Sequence, residues 1–337
     1  MTLRVQGGAN AHRLLDVGYS VSLERALDLL ATSAPERVRP VRGEAAALQI
    51  QNPPVAVILG GERITLEGRA YDAEVSARIF DFGVVSLCLR VHAAPMLDWD
   101  AFAAFGSAVD ADRAIPELLE HHARLLFQRI APAVERPSMS PVREDYVVFR
   151  LREVLGEDGT RLTSDALLQR VDLTPLSWDN ALVLDPAAGA TDVEYILEFA
   201  NAQLLELRYY DAILDGEIPK LYHRIEAARG RTAGLFSRRF SNLLGDMQHL
   251  FADSTELVER VENSLKVTDD VYLARVYSVA LEIFRGKEWR AGVDRKLTLV
   301  RETYEMLNAE AQASRAEVLE LSIVVLIVAE IVLALVS

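Results

Sequence analysis

The second half of the chain is constrained most by the spacing of its apolar residues. After Thr191 these residues recur at alternating intervals of four and three, which is the heptad pattern of a helix that buries one seam along its length. The first seam, with one polar member, consists of Val193, Leu197, Ala200, Leu204, Leu207, Asp211, Leu214, Ile218 and Leu221. The second consists of Val293, Leu297, Val300, Tyr304, Leu307, Ala311, Ser314, Val318 and Leu321. We therefore predict a helical stalk over residues 191–317 and expect its seams to drive self-association into a homo-oligomer.

The second seam continues without Gly or Pro into an apolar C-terminal stretch. Among the sixteen positions from Leu321 to Val336, only Ser322 and Glu330 are polar. As a helix this stretch is roughly 24 Å long, against about 30 Å for a hydrocarbon core. One acid near its centre costs about 2.5–3.5 kcal/mol on insertion. We predict a transmembrane tail anchor over residues 318–337. The anchor positions are Leu321, Ile327, Glu330 and Val336.

Alternatives stay open for this stretch. Its many Ile and Val residues also suit a buried core helix or strand. In a bilayer, Glu330 is a functional acid, the partner of a second copy of the helix, or a residue beside a bilayer defect. The anchor would place the bulk of the protein on the cytoplasmic side of a bacterial inner membrane, because only Ser337 follows the apolar run. A bacterial source is suggested by basic residues that are nearly all Arg, with Lys only at 220, 266, 287 and 296.

The first half of the chain predicts a mixed α/β head domain over residues 1–185. The stretch SLERALDLLATS predicts a short helix capped by Ser22. AVILGGERITLEGR predicts two strands that turn at Gly60-Gly61, and AEVSARIFDFGVVSLCLRV predicts two more that meet at Asp81-Phe82-Gly83. The predicted fold class is therefore α+β: an N-terminal mixed α/β head, an all-helical stalk and a C-terminal hydrophobic helix.

Charge and cysteine content narrow the range of partners. The net charge of −14 argues against a general nucleic-acid binder, because phosphate binding requires an excess of Lys and Arg. A basic loop, ARGRTAGLFSRRF, is a candidate contact for anionic lipid, RNA or a protein partner, with an ordinary solvated loop as the alternative. Its arginines are Arg229, Arg231, Arg238 and Arg239. The single cysteine, Cys88, excludes a disulfide within the chain and fits a small buried hydrophobe.

The sequence contains no familiar catalytic pattern. It has neither a glycine-rich phosphate loop nor a nucleophile elbow. Glu117 and His121 stand one helical turn apart, and Asp246 and His249 stand three residues apart, as in helical metal sites, but further carboxylates form no consistent set. We therefore predict no catalytic residues, no cofactor and no metal. The alternative is a metal-dependent hydrolase or nucleotide-processing enzyme with its site between head and stalk.

Three stretches carry a resemblance to a known family. RIFDFGVVSLCLRV, DVEYILEFANAQLLELRYYDAILD and the block from SLKVTDD to the C-terminal IVLAL are similar to the required-for-meiotic-nuclear-division (Rmd/YagE-type) family, a domain-of-unknown-function group. Ser86, Leu87 and Cys88 stand where the family hairpin commonly carries a Trp. The resemblance implies a membrane protein that ends in a hydrophobic helix containing an acid. It supplies no catalytic residues.

These observations lead to one functional prediction. We predict a membrane-tethered, non-catalytic scaffold or adaptor. It would self-associate through its helical seams, contact the bilayer through its C-terminal helix, and recruit a protein partner to the membrane.

Overall fold

The computed structural model describes most of the chain. The described residues are 3–33, 35–37, 48–50, 52–168, 176–185, 192–229, 244–248, 251–252, 255, 265–267 and 271–336. The fold is mixed α+β, with an N-terminal sheet domain and a helical C-terminal part, as predicted. Packing divides the chain into two compact units, Met1–Tyr209 with Arg260–Trp289, and Tyr210–Glu259 with Arg290–Ser337. The domain boundaries inferred from the sequence stay a prediction.

Strands dominate the first unit, and helices make up most of the remainder. The strands are β1 (Arg4–Asp16), β2 (Ser20–Val21), β3 (Glu36–Arg37), β4 (Leu48–Ile50), β5 (Val55–Leu66), β6 (Arg69–Ile79), β7 (Val84–His92), β8 (Leu97–Asp98), β9 (Val134–Glu135), β10 (Arg143–Leu155), β11 (Asn180–Leu184) and β12 (Leu265–Val267). The helices are α1 (Leu23–Leu29), α2 (Trp99–Ala111), α3 (Ala114–Ile130), α4 (Ser164–Leu168), α5 (Asp192–Arg229), α6 (Val271–Ile283) and α7 (Gly286–Val336).

The main sheet is built around β1. Its strand order is β11-β10-β1-β7-β6-β5-β3, and β8 also pairs with β1. All of its neighbouring strands are antiparallel except β10 and β11, which are parallel. From Asn10 to Asp16 every residue of β1 is buried, because strands flank it on both sides and helices cover both of its faces. Such a strand has to place any polar residue inside the protein.

The two faces of β1 meet different helices. Ala9, Ala11 and Leu15 belong to the core that includes buried residues of α2 and α3. On the same face, the Arg13 guanidinium donates to the Pro116 carbonyl oxygen at 2.9 Å. The intervening residues face the other way, since side chains alternate along a strand. That second face, with Asn10 as one member, is covered by the start of α5.

Apolar contacts fasten the first part of α5 to the sheet. One core cluster joins residues of β10, β11, α5 and α6, with the adjacent Phe284. Its buried members are Tyr146, Val148, Ala181, Val183, Leu197, Ala200, Leu204, Ala280 and Phe284. A second contact is aromatic: the Phe82 ring lies 5.3 Å from that of Phe80 and 6.0 Å from that of Phe199, which belongs to α5.

The structure confirms one predicted hairpin and corrects the other. Asp81, Phe82 and Gly83 form the turn between β6 and β7, with Phe82 buried in the aromatic cluster. The Gly60-Gly61 pair is not a turn: β5 runs through it, with a register shift between Ile58 and Gly60. An extra residue in one strand bulges where glycine relaxes the backbone. The chain reverses at Glu67-Gly68, where both residues have positive φ.

An apolar core and several ion pairs hold together the described residues of the second unit. Its described apolar core includes Leu221, Ile225, Met247, Val300 and Leu307. The seam positions Val293, Leu297, Val300 and Leu307 are thus buried inside the chain. The polar member of the first seam, Asp211, accepts a hydrogen bond from Lys296 Nζ at 2.7 Å, and Asp215 Oδ1 lies 2.5 Å from the same nitrogen.

The predicted membrane pass is wrong. Within the described residues, no helix is both long enough and apolar enough to cross a bilayer. The physical reason is the one that made the prediction marginal: the apolar run of roughly 24 Å is short. The predicted localisation, a single C-terminal pass through a bacterial inner membrane, is therefore wrong as well. Of the four anchor positions, Leu321 and Ile327 are exposed in α7, and the side chains of Glu330 and Val336 lie outside the described part.

The corner beside the β6–β7 turn gives a test of the fold. Gly83 has φ of 98°, and a Cβ there would lie 2.0 Å from the Gly18 carbonyl oxygen. Gly83→Ala therefore has to break this corner, and we expect a loss of about 3 kcal/mol or more in the free energy of unfolding, measured by urea titration. Gly68→Ala is the control, since Gly68 also has positive φ but a Cβ there meets no atom within 4 Å. It should cost only about 1–2 kcal/mol, and equal losses would contradict the described corner.

Candidate functional site

A polar layer lies on the sheet face beneath the start of α5. In the β1–β7 ladder Asn10 pairs with Arg90 and His12 with Cys88, and in the β6–β7 ladder Arg78 pairs with Ser86. Paired residues of neighbouring strands project from the same face. The layer therefore spans four adjacent strands. We call this group the polar face; its residues are Asn10, His12 and Asp16 of β1, Arg78 of β6, Ser86, Cys88 and Arg90 of β7, and Arg150 of β10.

Two glutamates of α5, one turn apart, face the arginines of the sheet. Asn10 Nδ2 donates to Glu194 Oε1 at 3.3 Å, and Arg150 Nε lies 3.6 Å from the same oxygen. Arg78 forms an ion pair with Glu198. Both glutamates are only 3% exposed. A buried carboxylate needs such partners, because desolvation of an unpaired charge is costly.

The charges of the layer are balanced. Arg90 adds a third ion pair at the edge of the layer, where its Nη1 lies 3.4 Å from Glu74 Oε1. Three arginines thus oppose three glutamates across the layer. The Arg78 guanidinium also lies 5.1 Å from the centre of the Tyr195 ring of α5, a cation–π contact that strengthens out of water. The arrangement fixes where α5 docks on the sheet and matches each of these three arginines with a glutamate.

The histidine and cysteine of this face are not set up as a nucleophile and its base. Burial lowers the pKa of His12, against the opposing effect of Glu198, so the imidazole is neutral. Burial raises the pKa of the Cys88 thiol to about 12, so the thiolate is not formed at neutral pH. A reactive cysteine needs the opposite, a lowered pKa and access to solvent. Cys88 is a small buried side chain, as the sequence predicted.

A pair of acids lies at the end of β1. Asp16 and Glu206 of α5 are both buried. Burial raises the pKa of Asp16 to about 7, although hydrogen bonds with Glu206 and with the Gly18 backbone oppose the rise. Burial together with the charges of these two acids also raises the pKa of the neighbouring Tyr209 to about 12. Two carboxyl groups so placed share a proton more readily than both ionise. The pair can therefore take up or release a proton near neutral pH.

The candidate metal ligands lie outside the polar face. Glu117 and His121 are exposed on α3, in the first unit. Asp246, in the second unit, accepts from Arg224 at 2.7 Å, and His249 falls outside the described residues. Among the residues the structure describes, no three His, Cys, Asp or Glu side chains are placed to hold a metal.

The predicted basic contact cannot be placed. The side chain of Arg229 is outside the described part of the structure. The same holds for Arg231, Arg238 and Arg239, which belong to the undescribed segment that follows α5.

Sequence reasoning missed the polar face, although a signal was present. Polar residues share one face of each of two neighbouring strands, as Asn10 and His12 in β1 and as Ser86 and Arg90 in β7. In a strand with one solvated face this pattern marks the outside. Here both faces are covered, so the same pattern marks an interior polar layer.

Comparison with known proteins identifies the sheet domain. The family model described as the N-terminal domain of the uncharacterized protein MJ0711 matches residues 6–176. The chain belongs to this family. The uncharacterized protein MJ0711 of Methanocaldococcus jannaschii is 29% identical to the chain over 164 residues, which is 49% of this chain and 49% of the relative. The match thus spans about half the length of that curated relative. No solved structure matches the chain.

The family confirms the prediction of a domain of unknown function, since its description names no activity. The matched segment contains every residue of the polar face. The glutamates that neutralise this face, Glu194 and Glu198, come from α5, beyond the end of the match. The sheet domain of the family is therefore completed here by a helix from the following segment.

The Arg78–Glu198 pair gives a direct test of the buried layer. Glu198→Ala leaves Arg78 charged and unpaired in the interior, and we expect a loss of about 3–5 kcal/mol in the free energy of unfolding. The double variant Arg78→Met/Glu198→Leu should lose less than either single charge deletion, because no lone charge is left behind. Urea unfolding at pH 7 measures both. The exposed pair Arg63–Asp72, with a nitrogen–oxygen distance of 3.0 Å, is the control: Asp72→Ala should cost less than about 1 kcal/mol.

The acid pair predicts a pH dependence of stability. The folded-state pKa of Asp16, about 7, lies above the ordinary aspartate pKa of 3.8. Between these values the native state holds a proton that the unfolded state has lost, so Asp16 makes stability fall as pH rises from about 4 to 7. Asp16→Asn mimics the protonated acid and should remove this dependence, giving a shallower slope in urea unfolding between pH 5 and 8. Identical slopes for the two proteins would contradict the assignment.

Proposed function

We propose that the protein is a non-catalytic scaffold or adaptor that associates with a second copy of itself, and with a protein partner, through the C-terminal part of α7. The observation that carries this proposal is a run of large apolar side chains that are each between 50 and 68% exposed. They are Leu319, Leu321, Ile323, Val324, Val325, Leu326, Ile327, Val328 and Ile331. We call this run the apolar end.

The extent of the apolar end supports an interaction role. Its exposed surface is on the order of 900 Å², which is more than the largest apolar patch of a typical monomer, about 300–600 Å². It is comparable to the ~800 Å² that each partner contributes to a standard protein interface. Burying such a surface against another chain is the hydrophobic effect acting between molecules instead of within one.

The heptad spacing favours a second copy as the partner. Leu321, Val325 and Val328 continue the four–three spacing of the second seam. The earlier seam positions Val293, Leu297, Val300 and Leu307 are buried within the chain, whereas these three are exposed. Identical helices with apolar residues at this spacing pack against one another in coiled coils. We therefore assign self-association to the apolar end, and not to the buried part of the seam.

The polar face supports the non-catalytic part of the proposal. Its arginines and glutamates are engaged with one another beneath α5, and its cysteine is a buried thiol. We further propose that the resemblance of the chain to the Rmd/YagE-type family reflects kinship. The sequence stretches around the β6–β7 turn, in α5 and in α7 support it.

Oligomeric state tests the proposal. The full-length protein should run as an oligomer in sedimentation velocity at about 10–50 μM, a range in which an interface of this size associates. Ile327→Asp, which places a charge in the apolar end, should shift the distribution to monomer. The matched control is Met306→Asp, because Met306 lies on the same helix and is exposed to the same degree, 51% against 50% for Ile327. It should leave the oligomer intact. A wild-type monomer, or equal behaviour of the two variants, would refute self-association through the apolar end.

A further inference from the structure

We propose that the polar face encloses a binding site for a small uncharged molecule with an O–H group, either ordered water or a hydroxyl compound. The site lies between β6, β7, β1 and the start of α5. It is distinct from the apolar end, so the inference does not depend on the proposed function. Its lining residues are His12, Ser86, Arg90 and Tyr195.

Four buried polar atoms of this region have no hydrogen-bond partner among the described residues. They are His12 Nδ1, Ser86 Oγ, Arg90 Nε and Tyr195 Oη. Ser86 and Tyr195 are at least nine-tenths buried, with exposures of 0 and 3%. Native proteins rarely leave a buried polar atom unsatisfied, and bound water is the usual partner where one is found.

The four atoms belong to one neighbourhood. Ser86 and Arg90 lie on the same face of β7, on either side of Cys88, and Cys88 pairs with His12 on β1. Arg78, the partner of Ser86 across the β6–β7 ladder, lies beneath the Tyr195 ring at 5.1 Å. Adjacent strands are about 4.8 Å apart, and Ser86 and Arg90 lie about 13 Å apart along β7. A short chain of waters or an elongated hydroxyl compound can therefore reach these atoms.

The chemistry of the residues that line the site favours an uncharged bound molecule. The hydroxyls of Ser86 and Tyr195 each donate and accept, Arg90 Nε–H donates, and His12 Nδ1 donates or accepts according to its tautomer. The neighbouring charges are already matched as arginine–glutamate pairs. An added anion would face the carboxylate of Glu198, and an added cation would face Arg78. A molecule that both donates and accepts without net charge satisfies the lining.

The sign of a stability change provides the test. If the Ser86 hydroxyl is bonded to a bound molecule, Ser86→Ala removes that bond and should lower Tm by roughly 2–6 °C. If the hydroxyl is truly unsatisfied, the same variant removes a desolvated polar group, and Tm should stay the same or rise, which would overturn the proposal. Tyr195→Phe deletes the second hydroxyl with little change of shape and should shift Tm in the same direction.

Exposed hydroxyls provide the controls, and two direct measurements identify the bound molecule. Ser278→Ala and Tyr222→Phe remove hydroxyls at the surface, and each should change Tm by less than about 1 °C, as expected for surface substitutions.

A crystal structure of the full-length protein at high resolution should show density within hydrogen-bond distance of Ser86 Oγ. If the density is present, a mass excess in native mass spectrometry identifies the bound molecule as a hydroxyl compound. If the density is present without a mass excess, the bound molecule is water. Both results support the site, whereas absence of the density overturns it.

Discussion

The docking of α5 onto the main sheet is the interaction on which the rest of the first unit depends. The sheet presents arginines on an interior face, and the helix supplies the glutamates that neutralise them. Neither side can be buried alone, because an unpaired charge in a low-dielectric interior costs several kcal/mol. Arg208 of α5 repeats the arrangement further along, where it pairs with Glu144 of β10. The ion pairs specify the position of the helix, and the apolar cluster around Leu197 and Leu204 packs it against the sheet.

The two parts of the chain with a candidate role, the polar face and the apolar end, differ in their exposure to solvent. Within the first unit, arginines of the polar face are paired with glutamates beneath α5. At the end of α7, by contrast, the apolar side chains are exposed. This exposed segment is the observation that supports the proposed adaptor role. The acid pair of Asp16 and Glu206 is a pH-sensitive element within the first unit.

The sequence predicted those features that local pattern determines. The mixed α+β character, the helix capped by Ser22 and the turn at Asp81-Phe82-Gly83 all follow from short-range signals, and the structure contains each of them. The Gly60-Gly61 turn was wrong because a bulge and a turn both favour glycine, and only the register of β6 distinguishes them. The membrane pass was wrong because the apolar run at the end of α7 is too short for a bilayer, although the helix itself is long.

The candidate site depended on tertiary information that the sequence does not contain. Arg78 and Glu198 are 120 residues apart in the chain, and each alone resembles an ordinary surface charge. Their pairing becomes visible only once α5 is known to cover the second face of the sheet. The polar residues of β1 and β7 can be recognised in the sequence. Such residues indicate a solvent-exposed face in a half-buried strand, but an interior polar layer when both faces of the strand are buried. Interior polar layers of this kind are therefore harder to predict than either apolar cores or solvent-exposed motifs.

Hydrogen exchange on the full-length protein tests the central claim, that the start of α5 belongs to the core of the sheet unit, most directly. The account predicts that backbone amides of residues 192–209 exchange as slowly as those of β1 and β7, in the slowest class, since they open only with global unfolding. It predicts rapid exchange of the same residues when Glu194 and Glu198 are both replaced by Ala. Exchange of residues 192–209 in the wild-type protein well before that of β1 and β7 would contradict the account, because the polar face would then open without unfolding of the sheet.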